Sequence, residues 1–173
     1  MLIRPLFSSE QVEARIDEIA QRLYRDYADS PLSLLCIDQG ARRFVEALTE
    51  RLGQRNVTCD IHYVRARRTK AMALSSVQID SFDASVLDGR DVLVVDDIAD
   101  EGATLRAILE LVEFAEARSI RTAVLIDKRE HRREAIRLDY VGFVVERGWV
   151  VGYGMDVDGE FRDLDEIGIV SEI

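Results

Sequence analysis

Cysteine is scarce in this chain: two in 173 residues, Cys36 and Cys59. They lie far apart, each in an apolar stretch, and no Cys-x-x-Cys pair exists. That excludes a zinc knuckle or a disulfide framework and fits buried thiols in a reducing cytosol. Histidine is equally rare, and His62 and His131 have no partner spacing for a metal or a triad. No long apolar run follows the opening Met-Leu-Ile-Arg-Pro-Leu-Phe, so neither a signal peptide nor a membrane span is expected, and the expected location is cytoplasmic. There is no Gly-x-x-x-x-Gly-Lys-Ser/Thr, and Gly152-Tyr153-Gly154 lacks the third glycine of a dinucleotide fingerprint. Positive charge is in deficit too. A net charge of -10 keeps a chain soluble and repels nucleic acid and anionic membranes. Repeats and low-complexity segments are absent.

What is present suits one domain over residues 1–173, with 47% hydrophobic residues to fill its core. Ser8 and Gln11 have capping-box spacing, and Val12, Ile16, Ile19, Ala20 and Leu23 follow as a helical stripe that Asp29-Ser30-Pro31 stops. Leu32 to Ile37 reads as a buried strand. A helix with Phe44, Val45, Leu48 and Leu52 on one face comes next, with Gly53 as its expected C-cap. Val57, Cys59, Ile61 and Tyr63 alternate as a strand. Residues 66–82 lack periodicity and read as a long loop or floppy hairpin, the usual form of a lid. Val92 to Val95 is a buried strand, Leu105, Ile108, Leu109 and Val112 a helical stripe, and Ala123 to Ile126 a further strand. Tyr140 to Val145 and Trp149 to Tyr153 read as two more, joined at Arg147-Gly148. Strands apolar on both faces, alternating with helices, imply a parallel sheet covered on both sides. Such sheets bind ligands at the carboxyl ends of their strands.

At the end of the most apolar strand stands Asp96-Asp97-Ile98-Ala99-Asp100-Glu101-Gly102-Ala103-Thr104. Successive amides at a helix entrance cradle phosphate, and Thr104 adds a hydroxyl. Adjacent acids beside a phosphate need another task, such as bonding sugar hydroxyls or holding a divalent metal. Two basic clusters, Arg65 to Lys70 and Lys128 to Arg133, read either as solvated loops or as the surroundings of a small anion. Taken alone, Trp149 belongs in the core, Lys128 on the surface, Asp156 in a turn with Gly154 and Gly159, and Arg162 beside Glu160 or Asp163.

Val92 to Leu105, an apolar strand, two acids and Asp-x-Gly-x-Thr, resembles the phosphoribosyl-pyrophosphate motif of type I phosphoribosyltransferases. Ala123 to Lys128, Asp139 to Phe143, Trp149 to Asp156 and Phe161 to Leu164 are similar in order and spacing to the hypoxanthine-guanine branch. The resemblance runs from about Leu32 to the end. It implies an α/β type I phosphoribosyltransferase fold: a central, mostly parallel sheet flanked by helices, with a small hood built from the terminal segments. It implies transfer of a phosphoribosyl group to hypoxanthine or guanine with Mg2+, yielding a nucleoside monophosphate, in a homodimer or homotetramer.

The roles implied are specific. Asp96 and Asp97 hold the ribose hydroxyls. Asp100 is the acid–base group at purine N7 and, with Glu101, Gly102, Ala103 and Thr104, lines the 5′-phosphate site. Lys128, Trp149, Val150 and Asp156 surround the purine, with Lys128 at its 6-substituent. Gln39, Gly40 and Arg162 take pyrophosphate, and Asp156 binds magnesium. Three positions depart from the family pattern. Gln39-Gly40 replaces Lys-Gly, Arg68-Thr69 stands where a lid Ser-Tyr is usual, and Glu101 replaces a small hydroxyl residue. The alternative they motivate is a catalytically weak nucleotide-binding or regulatory protein on the same fold. An RNA-binding regulator is opposed by the charge, and a phospho-accepting receiver domain leaves the C-terminal motifs unexplained.

Overall fold

The computed structural model describes residues 2–71 and 74–171, with side chains described except at 68–71, 74, 75 and 171. Nine strands and three helices follow one another as β1 (Leu2–Phe7), α1 (Ser9–Tyr27), β2 (Leu32–Asp38), α2 (Arg42–Gly53), β3 (Cys59–Ala71), β4 (Leu74–Ile79), β5 (Asp91–Ala99), α3 (Ala103–Phe114), β6 (Ser119–Lys128), β7 (Tyr140–Val145), β8 (Trp149–Val151) and β9 (Ile167–Ser171) among the described residues. A short 3-10 turn, Ala84–Leu87, precedes β5.

The central sheet has the order β4-β3-β2-β5-β6-β7, parallel except for β4, which pairs antiparallel with β3. Alternation along each strand sorts its side chains onto two faces. Leu34, Cys36, Leu93, Val95, Ala123 and Leu125 meet α1 and α2 on one face. Leu35, Ile37, Val92, Val94 and Val124 meet Leu105, Ile108 and Val112 of α3 on the other. Both faces are buried, which is why these strands are continuous apolar runs. The α1 entrance is the expected capping box: Ser8 Oγ accepts from the Gln11 amide at 3.3 Å, and Gln11 Oε1 accepts from the Ser8 amide at 2.9 Å.

A second sheet, β1-β9-β8, is antiparallel and unites the two ends of the chain, with Leu2 opposite Ser171 and Trp149 opposite Val170. This is the expected hood. Of the two forms expected for residues 66–82, long loop or hairpin, the hairpin is found: β3 runs on to Ala71 and pairs antiparallel with β4. Residues 72 and 73 and the Arg68-Thr69 side chains lie outside the described residues. Gly53 is the last residue of α2, and Gln54 is the cap. The strand expected over Trp149 to Tyr153 stops at Val151, and it belongs to a different sheet from Tyr140–Val145.

Phe44 is fully buried between α2 and the sheet. Phe44→Ala should lower the free energy of unfolding by about 3–5 kcal/mol, read from urea melts.

Candidate active site

The register aligns Cys36 with Val95 and Ala99 with Asp127, so the carboxyl ends of β2, β5 and β6 form one edge. Beyond β5 the chain turns through Asp100 and Glu101 into α3. Gly102 makes that turn at φ +92°, where a side chain is strained. The first α3 bond runs from the Arg106 amide to the Gly102 carbonyl, and no side chain caps the helix. The amides of residues 103–105 therefore have no acceptor within the helix. They open onto a cavity of about 200 Å³ lined by Asp96 to Gly102, Thr104 and Leu105.

Asp96 is buried, and Asp97 lies beside it. Burial pushes the Asp96 carboxyl well above the ordinary carboxylate range, and the charge and side-chain hydrogen bond of Asp97 push it further, against the Asp97 amide, which donates to it. Burial raises Asp97 too, against the hydrogen bonds that it receives from Asp96 and the Ile98 amide. Two adjacent carboxyls make the second ionisation harder than the first. The loop after β2 closes on this pair. A Cβ at Gly40 would fall 1.8 Å from Asp97 Oδ2, and one at Gly154, where φ is +101°, would fall 2.3 Å from the Gly40 carbonyl oxygen.

Lys128, at the end of β6, is 4% exposed, so it is no ordinary surface lysine. Its Nζ donates to Asp100 Oδ2 at 3.0 Å and stands 5.7 Å from the centroid of the Trp149 ring. Trp149 is 64% exposed and presents a ring to solvent instead of filling the core. Val150 is buried beside it in the hood. Arg162 pairs with Asp156 at 2.7 Å, not with Glu160 or Asp163, and donates to the Gly154 carbonyl at 3.0 Å. Asp156 also accepts from the Gly159 amide at 2.7 Å, so the expected turn is there as well. Arg162 and Gln39 line a cavity of about 270 Å³ with Asp38, Arg65, Ala66 and Arg67, and Gly40 lines the adjoining one. All the expected site residues thus gather at the strand ends and the loops facing them.

The basic clusters are neither bare anion sites nor merely solvated. Arg65 pairs with Asp38, and Arg67 with Asp80. Arg132 turns inward: its guanidinium donates to the carbonyls of Ala99, Asp100 and Lys128 and to Asp127. It ties the acid turn to β6, a task that a run of basic residues does not reveal. His131, which had no visible partner, places Nδ1 3.4 Å from Asp100 Oδ1.

The phosphoribosyl transferase domain matches residues 6–158. The chain belongs to the phosphoribosyl transferase family. It is 31% identical over 167 residues to the hypoxanthine-guanine phosphoribosyltransferase of Streptococcus thermophilus, covering 96% of this chain and 92% of that one. To the enzyme of the same name in Bacillus subtilis it is 32% identical over 166 residues, covering 95% and 91%. The solved hypoxanthine phosphoribosyltransferase of Trypanosoma cruzi, in complex with IMP, superposes with a TM-score of 0.88 at 30% identity, covering 96% and 93%. The likeness to phosphoribosyltransferases of the hypoxanthine-guanine branch therefore begins well before Leu32.

Among the described residues no three His, Cys, Asp or Glu side chains are grouped to hold a metal. Mg2+ keeps several waters and commonly takes one or two carboxylates plus substrate phosphates. The single carboxylate of Asp156 fits a metal that shares its ligands with a phosphorylated substrate.

Two outcomes follow for this phosphoribosyltransferase site. Gly40→Ala forces Asp97 or the loop aside, and should cut turnover about 10²-fold in steady-state assays. The second concerns pH. An unfolded Asp ionises near pH ~3.9, whereas Asp96 in the folded chain keeps its proton to higher pH. Above about pH 4 the unfolded chain binds fewer protons than the folded one, so stability is lost as pH rises through the folded value. Asp96→Asn should therefore melt above the wild type at pH ~7.5, and that advantage should vanish near pH ~3.

Proposed function

We propose that the chain transfers the 5-phosphoribosyl group of phosphoribosyl pyrophosphate to N9 of hypoxanthine or guanine, releasing a nucleoside 5′-monophosphate and pyrophosphate in purine salvage. The observation that carries the reading is the buried Lys128, held on Asp100 with an exposed Trp149 ring 5.7 Å away, at the same sheet edge as the Asp96–Asp97 pair.

The 5′-phosphate sits on the amides of residues 101–104 with the Thr104 hydroxyl. Asp96 and Asp97 accept from the ribose hydroxyls and share a less than full double charge, which limits repulsion of the donor's phosphates. Trp149 stacks on the base, and the Val150 backbone lies at its edge. Lys128 is a donor without acceptor capacity, so it matches a 6-oxo group and not a 6-amino group. When it turns to that oxygen it uncovers Asp100 Oδ2, which takes the N7 proton as N9 attacks C1′. Gln39, the Gly40 backbone and Arg162 receive pyrophosphate, and Asp156 holds magnesium. Bound magnesium supplies charge neutralisation to the leaving pyrophosphate.

Gln39 in place of a cation favours the weaker alternative, a nucleotide-binding protein with poor turnover. Arg65, Arg67 and Arg162 line the same cavity, and their charge supports the enzyme reading instead. The paired part of β3 and β4, Ala66 to Ile79, serves as the lid; the lining of this cavity by Ala66 and Arg67 supports that role. The chain acts as one domain over residues 1–173, in the cytoplasm, as a homodimer or homotetramer.

Purified protein with magnesium and the donor should form nucleotide from hypoxanthine or guanine, and Asp100→Asn should lose about 10²-fold or more of that activity. Product from neither of these bases, nor from xanthine, would sink the reading.

A further inference from the structure

Each transfer of this kind makes one proton. The C1′–N9 bond forms, the C1′–O bond breaks with its electron pair going to pyrophosphate, and N7 loses its hydrogen to Asp100. Asp100 must shed that proton before it can act again. Its side chain is 35% exposed, but it faces the cavity assigned above to the sugar phosphate, so that way out is closed while product stays bound. Oδ2 accepts from Lys128 at 3.0 Å. Lys128 is an ammonium without acceptor capacity and is almost wholly buried, so it takes no proton onward. Oδ1 is shielded from solvent and has no hydrogen-bond partner. A buried carboxylate oxygen without a partner is costly to keep. The group in place to serve it is His131, whose Nδ1 is 3.4 Å away and whose side chain is 49% exposed. One end of the imidazole therefore faces the shielded oxygen, while the side chain as a whole reaches water.

The loop holding His131 is fixed against the acid turn from both sides. The amides of Arg133 and Glu134 donate to the Glu101 carbonyl at 3.1 Å. The Arg132 guanidinium donates to the Asp100 carbonyl at 2.7 Å. The other charged neighbours are Glu130, which accepts from the Gly148 amide, and Lys128, 4.0 Å from Glu130.

We infer that His131 is the exit for the purine proton, acting through Asp100 and never touching the base; this rests on the acid–base role of Asp100 proposed above. The proton arrives on Oδ2. Rotation about χ2, broad and two-fold for Asp, turns it towards the ring. Nδ1 accepts it, and Nε2 releases its own proton to water, leaving Asp100 a carboxylate again.

The test follows nucleotide and protons separately in one turnover, with enzyme in excess and weak buffer carrying a pH indicator. In the wild type, nucleotide and proton should appear together. In His131→Ala and His131→Gln, nucleotide should form at the wild-type rate while proton release lags about tenfold or more, and added imidazole should remove the lag. His131→Gln keeps a polar side chain but carries no proton, so it separates relay from packing. Proton release that keeps pace with nucleotide in both variants overturns the relay. So does a lag that imidazole leaves unchanged, or slowed nucleotide formation, which would make His131 only a positioning residue. Asp100→Asn, run in parallel, separates the two claims. If it makes nucleotide at full speed, the acid–base reading falls and takes the relay with it. If it is slow while the His131 variants show no lag, the relay alone falls.

Discussion

Where a side chain on residue 40 would begin, a carboxylate oxygen of Asp97 already stands, and the Gly40 carbonyl in turn occupies the space that a side chain on residue 154 would need. Three segments from β2, β5 and the approach to the hood thus meet backbone to side chain to backbone. No one of them can move without displacing the others. The interlock sets how near the loop after β2 comes to the acid pair, and through Gly154 it fixes the segment carrying Asp156 and Arg162. The acid pair, the loop after β2 and the Asp156–Arg162 segment are positioned by close approaches that leave no room for a side chain at Gly40 or Gly154.

The electrostatics follow from the same closeness. Asp96 is buried and Asp97 half-buried at the end of β5, side by side, so ionising both is unfavourable. Nearby positive charge is spent locally: Arg65 on Asp38, Arg162 on Asp156, Lys128 on Asp100.

The central sheet was legible because its strands are buried on both faces and its helices carry clear apolar stripes, such as Val12 to Leu23. The hood strands β1 and β9 have no such mark in the sequence. They are short, β1 is largely exposed, and each finds its partner at the opposite end of the chain. The outer part of β3 leaves the sheet core beyond Val64, where polar residues follow one another and period-2 alternation disappears. Asp96 to Thr104 could be read directly, since a run of acids before a helix has few uses. Lys128 and Trp149 could not be read from composition alone, which puts lysine outside and tryptophan inside. It took resemblance to reverse both. Arg132 and His131 stayed hidden because their partners, Asp127 and the Ala99–Asp100 turn, are named only by folding.

The pairing of β8 with β9 sets an order of construction. The acids, the α3 entrance and Lys128 lie within a stretch of local strand-helix-strand chain, and their sheet can form as synthesis passes residue 145. Trp149 sits on a strand that pairs, among the described residues, with β9 alone, which reaches to Ser171 and in turn leans on β1. Local contacts form early and distant ones late. A nascent chain released short of Ile167 would hold the acid turn, the α3 entrance and Lys128, and would leave Trp149 without its partner strand.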